Sequence, residues 1–280
     1  MKERIVFGAI GAVIAVSAFL FASPMLILAL VLIISLMAVT EFLKAVSLAG
    51  AKGKLPLTIL AYMLSVGITL SSAYGFSEYG RYESALGFAL IAVILFVIAS
   101  FAVMVLNHSR ISFADVALAM TGTLYITVSL IHIYMLRTLA HGKLYIWLPF
   151  IIAWLTDTFA YFTGVFFGKH KLIPSVSPKK TVEGALGGVA GAVITVFVFQ
   201  LVCQKTAGFA PYYVTGVIMA LVCSVASQFG DLSASCIKRE HGIKDFGTIM
   251  PGHGGVLDRF DSVIYISPLV FLIVYYIGIF

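Results

Sequence analysis

Long unbroken apolar runs separated by short polar stretches set the rhythm of this chain. Hydropathy predicts nine membrane spans, roughly at 5–22, 25–42, 56–75, 85–106, 113–135, 145–167, 184–203, 210–229 and 261–280. A helix needs about 20 mostly apolar residues to cross a bilayer, and each run approaches that length. A transmembrane barrel would alternate apolar and polar positions over segments of about ten residues, whereas these runs are continuous. The expected fold is therefore all-α, a polytopic integral membrane protein with about nine transmembrane helices. The opening MKERIVFGAIGAVIAVSAFLFASP resembles a signal peptide in its charge order. Its apolar run is longer than a typical h-region and a second span follows at once, so it reads as a first spanning helix. A tight Ser23-Pro24 turn separates those two spans.

Composition sharpens the same picture. The 280 residues are 61% hydrophobic and only 11% charged, with a mean hydropathy of +1.08; a soluble domain is about half apolar and a quarter charged. The net charge of +6 and pI near 9.2 come without a dense Lys/Arg run. Such residues orient spans and face anionic lipid, and binding to nucleic acid is not expected. Nine spans put fourteen of the eighteen Lys and Arg residues on one side, and Arg81, Arg137, Lys143 and Lys205 on the other. The positive-inside rule places the first side, with the N-terminus, in the cytoplasm. Cys203, Cys223 and Cys236 form no C-x-x-C pair, so neither a disulfide framework nor a Cys/His zinc site is expected.

Charge is distributed unevenly along the chain. Residues 1–143 read as a bland scaffold of about five helices, and 144–280 as a catalytic region with cytoplasmic loops 168–183 and 230–260. Between Gly230 and Ser262 lie five of the twelve acidic residues and four of the eighteen basic ones. Charge concentrated between two apolar helices is a functional-site signal in a membrane protein. Asp231 and Asp258, at the two ends of that stretch, can hold a hard cation such as Mg²⁺. Lys238, Arg239, Lys244 and Arg259 can neutralise phosphate oxygens. The turn from Pro251 through His253 to Gly254 and Gly255 can bring backbone N–H groups to an anion. In the other loop, Asp157 is costly within a span unless it faces a polar cavity. Ser177, Lys179, Lys180 and Thr181 offer hydroxyls and ammonium groups just before a helix N-terminus, which favours anions.

Blander readings stand beside these. The 230–260 stretch can be a solvated, charge-balanced loop, and Lys179 and Lys180 a topology signal. Gly164 and Gly168 form a G-x-x-x-G that fits helix packing better than ligand binding, and GKHK lacks the P-loop spacing. His132 reads as a packed histidine, Glu41 and Lys44 as interfacial residues with a lesser alternative of touching the site, and Asp115 as a carboxylate reaching water.

The residues Ser235 to Asp261, SCIKREHGIKDFGTIMPGHGGVLDRFD, closely resemble the signature of the phosphatidate cytidylyltransferase (CDP-diacylglycerol synthase) family. That signature has the form S-x-x-K-R-x-x-x-x-K-D followed by P-G-H-G-G-x-x-D-R-x-D. The earlier D-T-F-A-Y-F-T-G-x-x-x-G-K-H-K from Asp157 and S-P-K-K-T-x-E-G from Ser177 are similar to the same family. The resemblance implies a reaction in phospholipid biosynthesis: CTP and phosphatidate give CDP-diacylglycerol and pyrophosphate. It implies Mg²⁺ on the carboxylates of Asp231 and Asp258, with room for a second monovalent or divalent cation. It implies that Lys238, Arg239 and Lys179 meet substrate phosphates. Asp245, Arg259 and Asp261 are expected among the catalytic residues, and Ser235 with Lys244 beside the substrates. A homodimer in the inner membrane of a bacterial-type cell, its site facing the cytoplasm, is expected as well. The rivals are a membrane nucleotidyl- or phosphotransferase for another lipid phosphate, a transporter with Asp157 as its coupling-ion site, and a non-catalytic lipid-binding subunit.

Overall fold

A computed structural model describes residues 16, 17, 19–249 and 254–280. The described chain runs as α1 (Pro24–Ala45), α2 (Leu55–Tyr79), α3 (Tyr82–Leu106), α4 (Phe113–Thr138), a single turn α5 (Gly142–Tyr145) and α6 (Trp147–Phe167). A small hairpin follows, β1 (Lys171–Ile173) and β2 (Ser177–Thr181), and then α7 (Val182–Ala207), α8 (Tyr213–Glu240) and α9 (Leu257–Tyr276). Among the described residues, seven helices are long and apolar enough to cross a membrane, counting α5 and α6 as one run. The expected first span falls largely outside the described residues; the expected ninth coincides in sequence with α9, which is not among those seven. The chain is thus an all-α integral membrane protein whose strands, among the described residues, amount to the one hairpin.

Local sequence explains where the helices begin and end. Ser23 caps α1, its Oγ accepting from the Leu26 N–H at 3.3 Å, with Pro24 at the first helical position, where a missing N–H costs nothing. Gly80 ends α2 at φ +63°, a left-handed closure open to glycine. Ser112 and Asp115 form a reciprocal capping box on α4, satisfying two otherwise orphaned N–H groups. The Asp115 carboxylate also accepts from Lys54 at 2.9 Å, so it is paired and half-buried rather than reaching for water.

Two compact units emerge. The first comprises residues 1–142 together with 241–259. Here α4 is the most buried helix and packs against α1 and α2, while α2 and α3 pair as a hairpin. By contrast α3 buries only Tyr82, Ala85, Phe96 and Ser100, the pattern of a helix that shows most of its circumference to lipid. Several polar groups inside the bundle find partners there, where no water competes. Thr127 donates to Ser65 at 2.9 Å, Tyr82 Oη meets His132 Nε2 at 2.9 Å, and Arg137 Nη2 donates to the Ala22 carbonyl at 2.9 Å. His132 is a packed residue, as its apolar surroundings in the sequence suggested.

The second unit comprises residues 143–240 and 260–280. Its spine is the α6–α7 pair, and glycines on α7 make that pairing close. A Cβ on Gly184 would stand 2.7 Å from the Ala160 carbonyl, and one on Gly188 2.9 Å from the Thr156 carbonyl. Small residues four apart let helix backbones approach in this way. Thr156 then donates to Ser224 at 2.9 Å and Gln228 to the Ala185 carbonyl at 3.2 Å, drawing in α8. The 28 residues of α8 extend about 42 Å at about 1.5 Å per residue, against roughly 30 Å of hydrocarbon. The excess of about 12 Å, roughly eight residues, lets its charged last turns extend past the apolar layer as helix. The stretch expected as a loop from residue 230 begins only at 241.

Candidate functional site

The second unit gathers acidic and basic side chains from four elements. Asp157 comes from α6, Lys180 from β2, Asp231 and Lys238 from α8, and Asp261 from α9. The Lys180 ammonium pairs with Asp231 Oδ2, and each of those side chains is about one quarter exposed (28%). Asp157, Asp231 and Asp261 lie close enough to repel one another, opposed by Lys180 and Lys238. Helical spacing explains the α8 contribution: Asp231, Ser235 and Lys238 recur at intervals of four and three residues and so share one face. Lys238 is only 8% exposed, held by its position on that face. Arg239, one residue on, points out to solvent.

Strand alternation resolves the paired lysines. Successive side chains of a strand point to opposite faces, so Lys180 turns toward Asp231 while Lys179 is exposed. Thr181 is buried and caps α7, its Oγ1 accepting from the Gly184 N–H at 3.1 Å. The same hydroxyl lies against Gly164 and Gly168, so that G-x-x-x-G serves packing, as its type suggested. Ser177 opens β2 opposite Ile173. Glu183 was not singled out from sequence. It accepts from the Lys169 N–H at 3.1 Å and from His170 Nδ1 at 2.6 Å, closing the exit from α6.

The first unit holds the rest of the signature. Asp258, in the first turn of α9, accepts through Oδ2 from the Phe246 N–H at 2.8 Å and the Gly255 N–H at 2.9 Å. Gly254 has φ +82°, and a Cβ there would stand 2.9 Å from Asp258 Oδ2 and 3.4 Å from Asp245 Oδ1. Both the backbone angle and the two carboxylates require glycine. Lys244, Asp245 and Arg259 are exposed around this loop, and His253 lies outside the described residues. Glu41 of α1, expected to be interfacial, is instead 3% exposed. Its Oε1 accepts from the Val256 N–H at 2.9 Å and its Oε2 from the Leu257 N–H at 2.8 Å. An anion at a helix N-terminus satisfies orphan donors and complements the dipole. The sole hint in the sequence was that this is the one carboxylate of α1.

The chemistry of the donor set suits a hard divalent cation, because every acidic ligand offers oxygen. Among the described residues, no three His, Cys, Asp or Glu side chains stand ready as a ligand cluster. Mg²⁺ keeps several waters or substrate oxygens rather than using an all-protein cage, which is compatible with so open a set. The expected pair, Asp231 and Asp258, falls in different compact units, Asp231 near Asp157 and Asp261, and Asp258 beside Asp245.

Comparison with known proteins covers the whole chain. A model described as "Cytidylyltransferase family" matches residues 2–277. A phosphatidate cytidylyltransferase of Bacillus subtilis (strain 168) is 35% identical over 279 residues, 98% of this chain and 97% of its own. One from Staphylococcus epidermidis is 41% identical over 168 residues, 59% of this chain and 61% of the relative. One from Staphylococcus aureus (strain COL) is 41% identical over 165 residues with the same coverage. The chain thus spans 61% of the staphylococcal relatives' length and nearly all of the Bacillus protein. With one family's match running from near the first residue to near the last, and enclosing both charged clusters, this chain belongs to the cytidylyltransferase family.

Proposed function

We propose that this protein transfers the cytidylyl group of CTP to phosphatidate, releasing pyrophosphate and forming CDP-diacylglycerol in the membrane. The observation that carries the reading is the five-residue charge cluster, Asp157, Lys180, Asp231, Lys238 and Asp261, set among membrane-spanning helices of a cytidylyltransferase-family chain. In the reaction a phosphate oxygen of the lipid bonds to the α-phosphorus of CTP, and the bond from that phosphorus to the bridging oxygen breaks. Pyrophosphate takes the electron pair. The attacking oxygen is already anionic near neutral pH, so no strong general base is needed. The barrier is the approach of two polyanions, which positioned cations relieve.

Lys180 and Lys238 are placed to hold phosphate oxygens against the repulsion of the carboxylates beside them. Lys179, Arg239, Lys244 and Arg259 are exposed cations able to guide anionic substrates inward. Gly254 brings half-buried backbone close to Asp258, while Gly255 is buried with its N–H given to that carboxylate. Asp231 and Asp258 are the carboxylates this reading assigns to Mg²⁺. When bound, that ion would supply charge neutralisation to the phosphates. The homodimer in this reading rests on the family resemblance alone. The placement in a bacterial inner membrane, facing the cytoplasm, rests on the basic-residue asymmetry and the bacterial relatives.

The deciding experiment is pyrophosphate release by purified protein in phosphatidate-containing micelles, with CTP, with other nucleotides and with prenyl phosphates in place of phosphatidate. Release that needs CTP, phosphatidate and Mg²⁺ together is expected. Release with another lipid phosphate alone, or none with CTP, overturns the reading.

A further inference from the structure

Glu41 lies outside every stretch that carries the family signature, in a helix that reads as inert scaffold. Yet its carboxylate is buried against the backbone of Gly247, Gly255, Val256 and Leu257. Its two oxygens are used separately, Oε1 by the Val256 N–H at 2.9 Å and Oε2 by the Leu257 N–H at 2.8 Å. Gly247 and Gly255 both lie so close to this carboxylate that a Cβ on either would collide with it. The loop has thus been kept bare on the two strands that enclose the Glu41 head. Asp258 fastens the same loop from its own side, through Phe246 and Gly255. Val256 and Leu257 are buried, so the two N–H groups that Glu41 accepts have no ready replacement in water if it is removed.

We infer that Glu41 is a positioning residue for the nucleotidyl-transfer reaction: it fixes the 254–257 turn and the first turn of α9, and through them the direction of the Asp258 carboxylate. The inference rests on the function proposed above. Both oxygens of Glu41 are taken by backbone N–H groups, so its effect is geometric. Displacing a reacting or coordinating group by about 1 Å can cost about 100-fold in rate. Glutamine at this position retains one acceptor and turns an NH₂ donor toward the other N–H, so one clasp is lost and one backbone donor is left facing a donor.

The test compares Glu41→Gln with Leu43→Ala, a fully buried neighbour on α1 that touches packing alone. Steady-state kinetics, thermal unfolding and amide hydrogen exchange are measured on full-length protein in detergent or nanodiscs. Glu41→Gln is expected to lower kcat about 10- to 100-fold, to change either KM by less than about threefold and to speed exchange across 254–258. Leu43→Ala is expected to lower the unfolding temperature while keeping wild-type kcat and slow exchange at 254–258. Wild-type kcat and exchange in Glu41→Gln, or the same losses in Leu43→Ala, overturns the inference. If the wild-type protein itself lacks turnover, the proposed function fails instead, and the exchange comparison still decides whether Glu41 holds the loop.

Discussion

At the scale of single residues, the two loop carboxylates differ in a way that makes them separable by amide substitution. Asp258 accepts the Phe246 and Gly255 N–H groups on one oxygen, so asparagine can place its carbonyl there and keep those two bonds. Asp258→Asn is therefore expected to leave unfolding temperature and loop exchange near wild type while turnover falls at least about 100-fold, because the charge proposed to meet Mg²⁺ is gone. Turnover near wild type would remove Asp258 from the metal proposal. The paired lysines are separable too. Lys180→Ala leaves Asp157, Asp231 and Asp261 with Lys238 as their remaining cation in the cluster, whereas Lys179→Ala removes an exposed charge. The Lys180 variant is expected to lose at least about tenfold more kcat, equivalent to roughly 1.4 kcal/mol of transition-state stabilisation, in parallel assays; equal losses would show that the strand's alternation does not matter to catalysis. The family resemblance favoured Lys179, whereas the strand turns Lys180 to Asp231; two neighbours in a loop have no defined sides until a strand gives them some. Glu41 was still less legible, because its partners lie 215 and 216 positions away. No local pattern reports such a contact.

At the scale of elements, the apolar runs were readable because a bilayer imposes one length on every helix. Their ends were less so. Hydropathy falls at Gly230, but a helix does not stop because it has left the lipid; it stops where backbone hydrogen bonding fails. Asp231, Ser235 and Lys238 remain on α8, and only that helical register puts them on one face. The hairpin 171–181 was likewise hidden, being too short for a period to show. What the glycines do on α7 leads to a contrast in stability. Gly184→Ala must push its Cβ against the Ala160 carbonyl and the Thr181 hydroxyl, neither of which can withdraw without opening the α6–α7 contact. A loss of about 1–3 kcal/mol is expected, typical of overpacking, with reduced turnover because α6 carries Asp157. Gly87→Ala on α3 meets nothing within 4 Å and should be neutral or stabilising by up to about 1 kcal/mol. Thermal unfolding of both variants in one detergent checks the pair, and equal destabilisation would mean that close helix approach is not what the α7 glycines provide.

At the scale of the whole molecule, the proposed chemistry makes a demand on topology that the described helices allow to be stated without the first fifteen residues. Two spanning helices, α7 and α8, separate the hairpin 171–181 from residues 241–249. An even number of crossings returns the chain to the side it left. Four more, α2, α3, α4 and α6, separate residues 46–54 from the hairpin, so Lys52 and Lys54 fall on that side as well. Lys205, at the far end of α7, falls on the other. Basic residues concentrate on the side of the hairpin, and positive charge is retained in the cytoplasm during insertion. CTP, a polyanion that does not cross lipid, must be met there. Single cysteines replacing Lys171, Lys244 and Lys205, all exposed, in a chain with Cys203, Cys223 and Cys236 replaced, give the measurement. A membrane-impermeant maleimide should label the first two only in inverted vesicles, and the third only in right-side-out vesicles. Labelling of Lys171→Cys and Lys244→Cys from opposite faces would divide the signature across the bilayer. No single nucleotide could then meet both halves, and the lysines of the hairpin would lose any part in the reaction.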